Sequence, residues 1–223
     1  FGGAEMPLVV VLAVGEFLAA TNIAFALGPM LTPAACQAIE YAGNEQQKNF
    51  YLPKLTSGEW SGTMCLTEAH CGTDLGLIKT KATACEGHYH VTGNKIWITY
   101  GEHNLTENII HLVLAKLPNA PEGSKGISMF LVPKYLEDGS RNNVKCTGLE
   151  SKMGQHASPT CFMSFDNATA YLLGEPNSGL KNMFVMMNEA RIGVGVSALA
   201  LSETSYQTAR TFIKDRRQSR SLD

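Results

Sequence analysis

The stretch TKATACEGHYHVTGNKIWITY, residues 80–100, decides how this chain is read. It contains three short runs of β-branched and aromatic residues, Thr80–Ala84, Tyr89–Thr92 and Lys95–Tyr100, punctuated by Gly93-Asn94 and Gly101. Runs of that length and composition between turn residues predict strands. Strand alternation in Lys95–Thr99 places Ile96 and Ile98 on one face and Trp97 and Thr99 on the other. The isoleucines are then free to fill a sheet core. The indole and the hydroxyl make an opposite face that suits a flat polar ring system, or equally a second core face or a subunit contact.

The same grammar continues downstream through Ile109–Lys116, Gly126–Pro133 and Cys161–Asp166, and predicts an antiparallel sheet or barrel. Upstream, Leu8 to Gly43 reads as helix, with breaks expected at Gly28-Pro29 and Thr32-Pro33. Thr32 is a candidate cap with Pro33 in the first helical position. Asn44 and Gln47 have capping-box spacing for a further short helix ending near Pro53. From Leu180 the period changes to alternating steps of four and three: Leu180, Phe184, Met187, Arg191, Val194, Ala198, Leu201. Small residues from Gly193 to Ala200 would let a neighbouring helix approach. Arg191 interrupts this apolar seam; it either pairs with an acid or snorkels, or meets an anionic or carbonyl-bearing group. The fold class is α+β, with a helical segment at 1–60, a central antiparallel β-barrel-like domain at 61–170, and the start of a C-terminal helical bundle at 171–223.

The 223 residues suffice for a real core, and 44% hydrophobic with 17% charged residues is ordinary for a globular chain. A net charge of −2 gives no general pull toward nucleic acid or anionic membrane. The basic tail of Lys214, Arg216, Arg217 and Arg220 suits a solvated helix end. Six scattered cysteines without a CxxC pair argue for reduced thiols in a reducing compartment. Zinc is not expected from the spacing of cysteines and histidines. His88 and His90 share a strand face beside a turn, which favours a solvated face over a metal site. Pro7 to Leu27 is the most apolar stretch, yet Glu16 lies near its middle and no basic segment precedes it. A buried core helix is therefore expected rather than a membrane span or a signal segment. Beginning at Phe1 and stopping just after a helical pattern, the chain reads as cut at both ends.

Met64 to Asp74 runs from a strand into a loop with Thr67, Gly72, Thr73 and Asp74. Gly72 permits close backbone approach, and the threonines could hold an anionic or carbonyl edge, although such loops are also common turn chemistry. His70 beside Cys71 does not make a nucleophile pair, because adjacent strand residues point apart. The chain has no GxSxG or P-loop, and Gly193-Val194-Gly195 is an incomplete dinucleotide fingerprint.

Taken together, these segments resemble the acyl-CoA dehydrogenase family over essentially the whole chain. Met64–Asp74 resembles the family signature x-C-x-T-E-P-x-x-G-S/T-D, and Gly93–Thr99 its second signature, G-x-K-x-W-I-T. Lys152–Thr160 resembles K-x-G-x-x-x-S-x-T. Asn188-Glu189-Ala190-Arg191 falls where the family begins its channel helix, and Asp215-Arg216-Arg217-Gln218 resembles a later E-R-x-x segment. The wording around His70–Thr73 and Gly101–His103 is similar to a branch that includes bacterial methylmercaptopropionyl-CoA dehydrogenases. Ala69 stands where the signature has proline, and Thr73 where serine is commoner.

The resemblance implies FAD between the β-domain and the C-terminal helices. Backbone at Met64, Leu66 and Gly72 and the hydroxyls of Thr67 and Thr99 would bond the isoalloxazine, with Trp97 and Ile98 packed on the ring. Thr73 would hold pyrophosphate or substrate. Ser158, Asn188 and Arg191 would lie near the acyl-CoA, and Arg216 and Gln218 would reach the FAD of a neighbouring subunit. The implied reaction is α,β-desaturation of an acyl-CoA thioester, with an electron-transferring flavoprotein as acceptor and a homodimer or homotetramer in the cytoplasm. An acyl-CoA oxidase or a catalytically silent acyl-CoA-binding relative share these features. No general base is assigned. Relatives place it beyond Asp223 or just before the channel-helix arginine, here Ala190, and Glu189 is one helical step away.

Overall fold

The computed structural model describes residues 1–216 and 218–220. Two helices, α1 (Leu8–Ala42) and α2 (Glu45–Ser57), precede seven strands, and a third helix, α3 (Gly179–Asp215), follows them. The strands are β1 (Trp60–Cys65), β2 (Lys81–Cys85), β3 (His88–Thr99), β4 (Asn108–Lys116), β5 (Ile127–Pro133), β6 (Val144–Leu149) and β7 (Thr160–Leu172). This is the expected α+β order. The sheet runs β1-β4-β2-β3-β7-β5, and pairing of β4 with β5 closes it into a barrel. It is mixed rather than wholly antiparallel, because β4 lies parallel to both β1 and β2.

Two apolar cores meet on β4. Its Ile110, Leu112 and Leu114 face the helices, where Leu31, Ala35, Ile39, Leu52, Met183 and Met186 pack on them. Its Val113 and Ala115 face the barrel interior with Ile98, Phe130, Val132, Met163 and Phe165. A strand buried on both faces reads as a continuous apolar run, as Ile109–Lys116 does. His111 also points inward. Its Nδ1 lies 2.7 Å from the Thr63 hydroxyl, and burial pushes its pKa down to about 3, so the ring is neutral.

Several local expectations are corrected. The prolines do not break α1, which passes through Pro29 and Pro33 and bends instead at Asn22 (φ −158°, ψ 96°). The Asn22 side chain accepts from Phe25 N at 3.1 Å and caps the second half. Thr32 caps nothing; its hydroxyl accepts from Gly62 N at 3.1 Å and ties α1 to β1. At that crossing a Cβ on Gly62 would lie 2.5 Å from the Ala35 methyl, so only glycine fits. The Asn44–Gln47 capping box forms as expected, but α2 continues past Pro53 to a left-handed Gly58. The runs Tyr89–Thr92 and Lys95–Thr99 lie in one strand, His88–Thr99, not two. The turn sits earlier, at Glu86-Gly87, and Gly93 lies inside β3 where a Cβ would meet Thr80 Oγ1 at 2.4 Å. β6 was not expected; of its six residues only Val144 and Cys146 pack on the barrel core.

The first half of α1 was expected to be buried, yet Val9 and Phe17 are more than 70% exposed. By length and composition alone α1 and α3 could each cross a membrane. α3 keeps Leu180 and Met187 of the expected seam against the core but turns the rest of that seam outward. Met183, Met186 and Ala200 are buried, while Phe184, Val194 and Leu201 are exposed. Gly193 lets α1 approach, since a Cβ there would sit 3.1 Å from Met30 Sδ. At its start α3 is pressed onto β5: a Cβ on Gly179 would fall 2.3 Å from the Ser128 carbonyl carbon.

Candidate functional site

The decisive strand is not regular. The β3–β7 register slips between Lys95 and Ile98, and Trp97 has a left-handed φ of 60°. Such a bulge re-aims side chains. Lys95, not Ile96, shares the inward direction with Ile98, which is 2% exposed, while Trp97 is thrown outward and is 56% exposed. Its indole N–H donates to Glu150 Oε2 at 2.7 Å, which fixes the plane of the ring. Ile98 can therefore offer this face only its backbone. Thr99 is half-buried beside it.

The bulge also docks the loop after β1. Ile96 N donates to the Thr67 carbonyl at 2.9 Å. Lys95 Nζ, with no exposed surface, donates to the Leu66 carbonyl and to Glu68 Oε1, both at 2.9 Å. Glu68 in turn accepts from Lys79 N at 2.7 Å, and from Thr80 N at 3.1 Å and Oγ1 at 2.6 Å. Burial alone would raise the Glu68 carboxyl, but Lys95 and the Thr80 hydroxyl outweigh it and hold its pKa below the ordinary value. Backbone bonds between Glu68 and Cys71 at 2.9 and 3.0 Å close the loop on itself. One buried ion pair thus fixes both ends of the segment carrying Leu66, Thr67, Gly72 and Thr73. At Gly72 a Cβ would lie 3.2 Å from Thr67 Cγ2, and Thr73 is exposed at the loop rim. Sequence reading missed this pair. Lys95 and Glu68 stood in the quoted segments, but strict alternation put Lys95 on the face of Trp97.

Met64, Trp97 and Thr99 meet in one cavity of about 520 Å³. Its other walls are Leu27 and Met30 of α1 and Ala190, Val194 and Ser197 of α3. Glu189 lines a different, larger cavity of about 960 Å³ beside Cys36 and Tyr100. There its Oε2 is buried without a partner among the described residues, and burial raises its pKa. No acidic side chain lines the smaller cavity among the described residues.

The remaining predicted residues are more dispersed. Ser158 is buried, and its hydroxyl has no partner among the described residues; its carbonyl accepts from Lys152 Nζ at 2.6 Å. Arg191 is exposed, donates to Asn188 Oδ1 at 3.0 Å and lies 5.3 Å over the Phe184 ring. It pairs with an amide and an aromatic ring, not with a buried acid. Arg216 ends α3 over the Phe212 ring, and Gln218 is exposed beyond it. Both lie about four helical turns past Leu201, so one chain does not bring them to the cavity. Arg217 of the same segment and residues 221–223 lie outside the described residues.

The middle-domain model of acyl-CoA dehydrogenases matches residues 63–168, and the N-terminal-domain model matches residues 1–59. This chain belongs to the acyl-CoA dehydrogenase family. It is 49% identical over its full length to a 3-methylmercaptopropionyl-CoA dehydrogenase of Ruegeria pomeroyi, covering 39% of that protein. An acyl-CoA dehydrogenase of Geobacillus kaustophilus superposes with a TM-score of 0.83 at 26% identity, over 97% of this chain and 56% of that one. An acyl-CoA dehydrogenase of Bacillus anthracis, complexed with FAD, superposes at 0.81 with 27% identity, over 99% of this chain and 36% of that one. The chain thus spans about two fifths of the length of the curated relatives it matches. The two quoted signatures are the loop and the bulged strand that the Lys95–Glu68 pair joins.

Proposed function

We propose that this chain forms one wall of the site of an FAD-dependent acyl-CoA dehydrogenase that desaturates an acyl-CoA thioester between its α and β carbons. The observation that carries the reading is the cavity in which Met64, Trp97 and Thr99 face Ala190 and Val194. Its size and its mostly apolar lining with a few hydroxyls are those of a cofactor pocket. A flat ring fits there. The outward indole of Trp97, held by Glu150, supplies a stacking plane, and the Thr99 hydroxyl supplies a polar edge. The backbone of Met64, Leu66, Gly72 and Ile98 and the hydroxyl of Thr67 would bond the ring, with Thr73 toward pyrophosphate or substrate.

When bound, FAD supplies the two-electron acceptor for the β-hydride, and the chain supplies position and electrostatics. The substrate loses that hydride and an α-proton, a carbon–carbon double bond forms, and the electrons pass on to an electron-transferring flavoprotein. Asn188 holds the Arg191 guanidinium at the outer end of the channel wall, where it would meet the acyl-CoA together with Ser158. Arg216 and Gln218 would serve the FAD of a neighbouring subunit in a homodimer or homotetramer, and the setting is cytoplasmic. The α-proton needs a carboxylate base. Ala190 occupies the family's alternative position for it, and Glu189 lines another cavity, so the 223 residues alone bind without turning over.

The test is titration of the purified chain with FAD, followed by flavin fluorescence, then addition of acyl-CoA with an electron acceptor. Saturable quenching that weakens at least about tenfold in Trp97→Ala, with no acceptor reduction, supports the reading. Quenching indifferent to Trp97, or steady turnover by the isolated chain, refutes the assignment of the site or of the missing base respectively.

A further inference from the structure

The β2–β3 hairpin carries a cluster that the flavin reading leaves unused. Cys85 pairs directly across the ladder from His88, and His90 follows two residues on along the same strand. Period-two geometry therefore sends all three side chains to the outer face, opposite Tyr89, which packs on Phe130 inside the barrel. A sulfur and two ring nitrogens, one from each residue, lie within 4.8 Å of one another. The two imidazoles are edge to face at 89°, with centroids 4.9 Å apart.

We infer that Cys85, His88 and His90 form a zinc site at the hairpin tip. Three observations converge on it. His88 Nδ1 lies 3.0 Å from the Glu86 carbonyl, an acceptor that must receive an N–H, which leaves Nε2 with its lone pair free to ligate. His90 Nδ1 is buried with no partner among the described residues. Such a nitrogen bears its full desolvation cost until something binds it. Cys85 is exposed and free, so a cation can reach the site and displace the thiol proton. One thiolate with two imidazoles is a set that zinc takes in tetrahedral geometry, and the fourth position stays open to water or an outside ligand. The metal–ligand lengths of about 2.0–2.3 Å require the three atoms to close by roughly 1 Å, within reach of side-chain rotation. The hairpin is held for this by the tight turn at Gly87 (φ 75°) and by pairing of His90 with Thr169 on β7. A second group, Glu68, His70 and Cys71, has comparable spacing, but its carboxylate is already committed to Lys95 and Thr80.

The experiment is calorimetric titration of the purified chain with Zn²⁺, alongside Co²⁺ substitution read by visible absorption. One Zn²⁺ per chain is expected, with affinity falling at least about tenfold in His88→Ala and in His90→Ala. The Co²⁺ form should show tetrahedral d–d bands and a sulfur-to-cobalt charge-transfer band, and Cys85→Ser should remove the latter. His70→Ala should change neither. Absence of saturable binding, binding unaffected in the hairpin variants, or binding lost only in His70→Ala would overturn the site.

Discussion

Phe130 and Phe165 inside the barrel have essentially no exposed surface, whereas Phe17 on α1 and Phe212 on α3 are each more than half exposed. The barrel satisfies itself, since its sheet closes and its interior is filled by its own side chains. The helices satisfy only half of themselves. The second half of α1 and the start of α3 share a core with β4, while their far ends hold apolar side chains exposed. An apolar area of that kind contributes stability only when something covers it. The difference separates residues that hold this chain together from residues that contribute little within one chain.

The largest test of this contrast is Phe130→Ala, expected to cost about 3–5 kcal/mol in urea unfolding because the closed barrel cannot collapse onto the void. Lys95→Met should cost about 3 kcal/mol or more, because it strands the Glu68 carboxylate without its cation. Adding Glu68→Gln to Lys95→Met should recover part of that loss in a double-mutant cycle. Were Lys95→Met neutral, the ion pair would not be what holds the loop.

His111 gives a milder signature. Its folded pKa of about 3 lies below the ordinary 6.5, so the unfolded chain takes up a proton that the folded chain refuses. The stabilisation is complete above pH 6.5 and declines as pH falls, by about 1 kcal/mol down to pH 5.5 and about 1.4 kcal/mol per further unit. Glu68, also depressed, adds a loss of the same sign below 4.5. Denaturation midpoints across pH should therefore slope downward toward acid, and His111→Gln should flatten the slope above pH 4.5. The smallest effects belong to the helix ends. Phe17→Ser and Phe212→Ser should change unfolding by no more than about 0.5 kcal/mol while reducing self-association in light scattering. A large stability loss there would mean that these faces are already covered within one chain.

Much of the fold was legible because its signals are local. The capping box at Asn44, the β-branched runs and the long period-3.6 stretch all act within a few residues. What failed were features set by distant partners. Pro29 and Pro33 sit inside α1, and the bend falls at Asn22, whose side chain caps the following turn. The seam chosen on α3 followed its apolar periodicity and left Phe184, Val194 and Leu201 exposed, whereas the small residues from Gly193 do admit α1 as their size suggested. At the site, Trp97 faces outward beside Thr99 as the alternation suggested. Its neighbour Lys95 faces inward, because a bulge adds one residue that no sequence pattern marks. The roles proposed for the loop threonines rest on the resemblance, and the geometry supplies the reason the loop stays in place.

Gly179 clamps one end of a rod. A straight helix of 37 residues extends about 55 Å from that clamp, so a tilt of a single degree there would carry Asp215 sideways by about 1 Å. The Met30–Gly193 crossing, with the buried Ala200 beyond it, braces the rod along the way and also borders the smaller cavity. A bulkier residue at 193 would therefore widen the cavity mouth and swing the distant arginine together, coupling two places that share no contact.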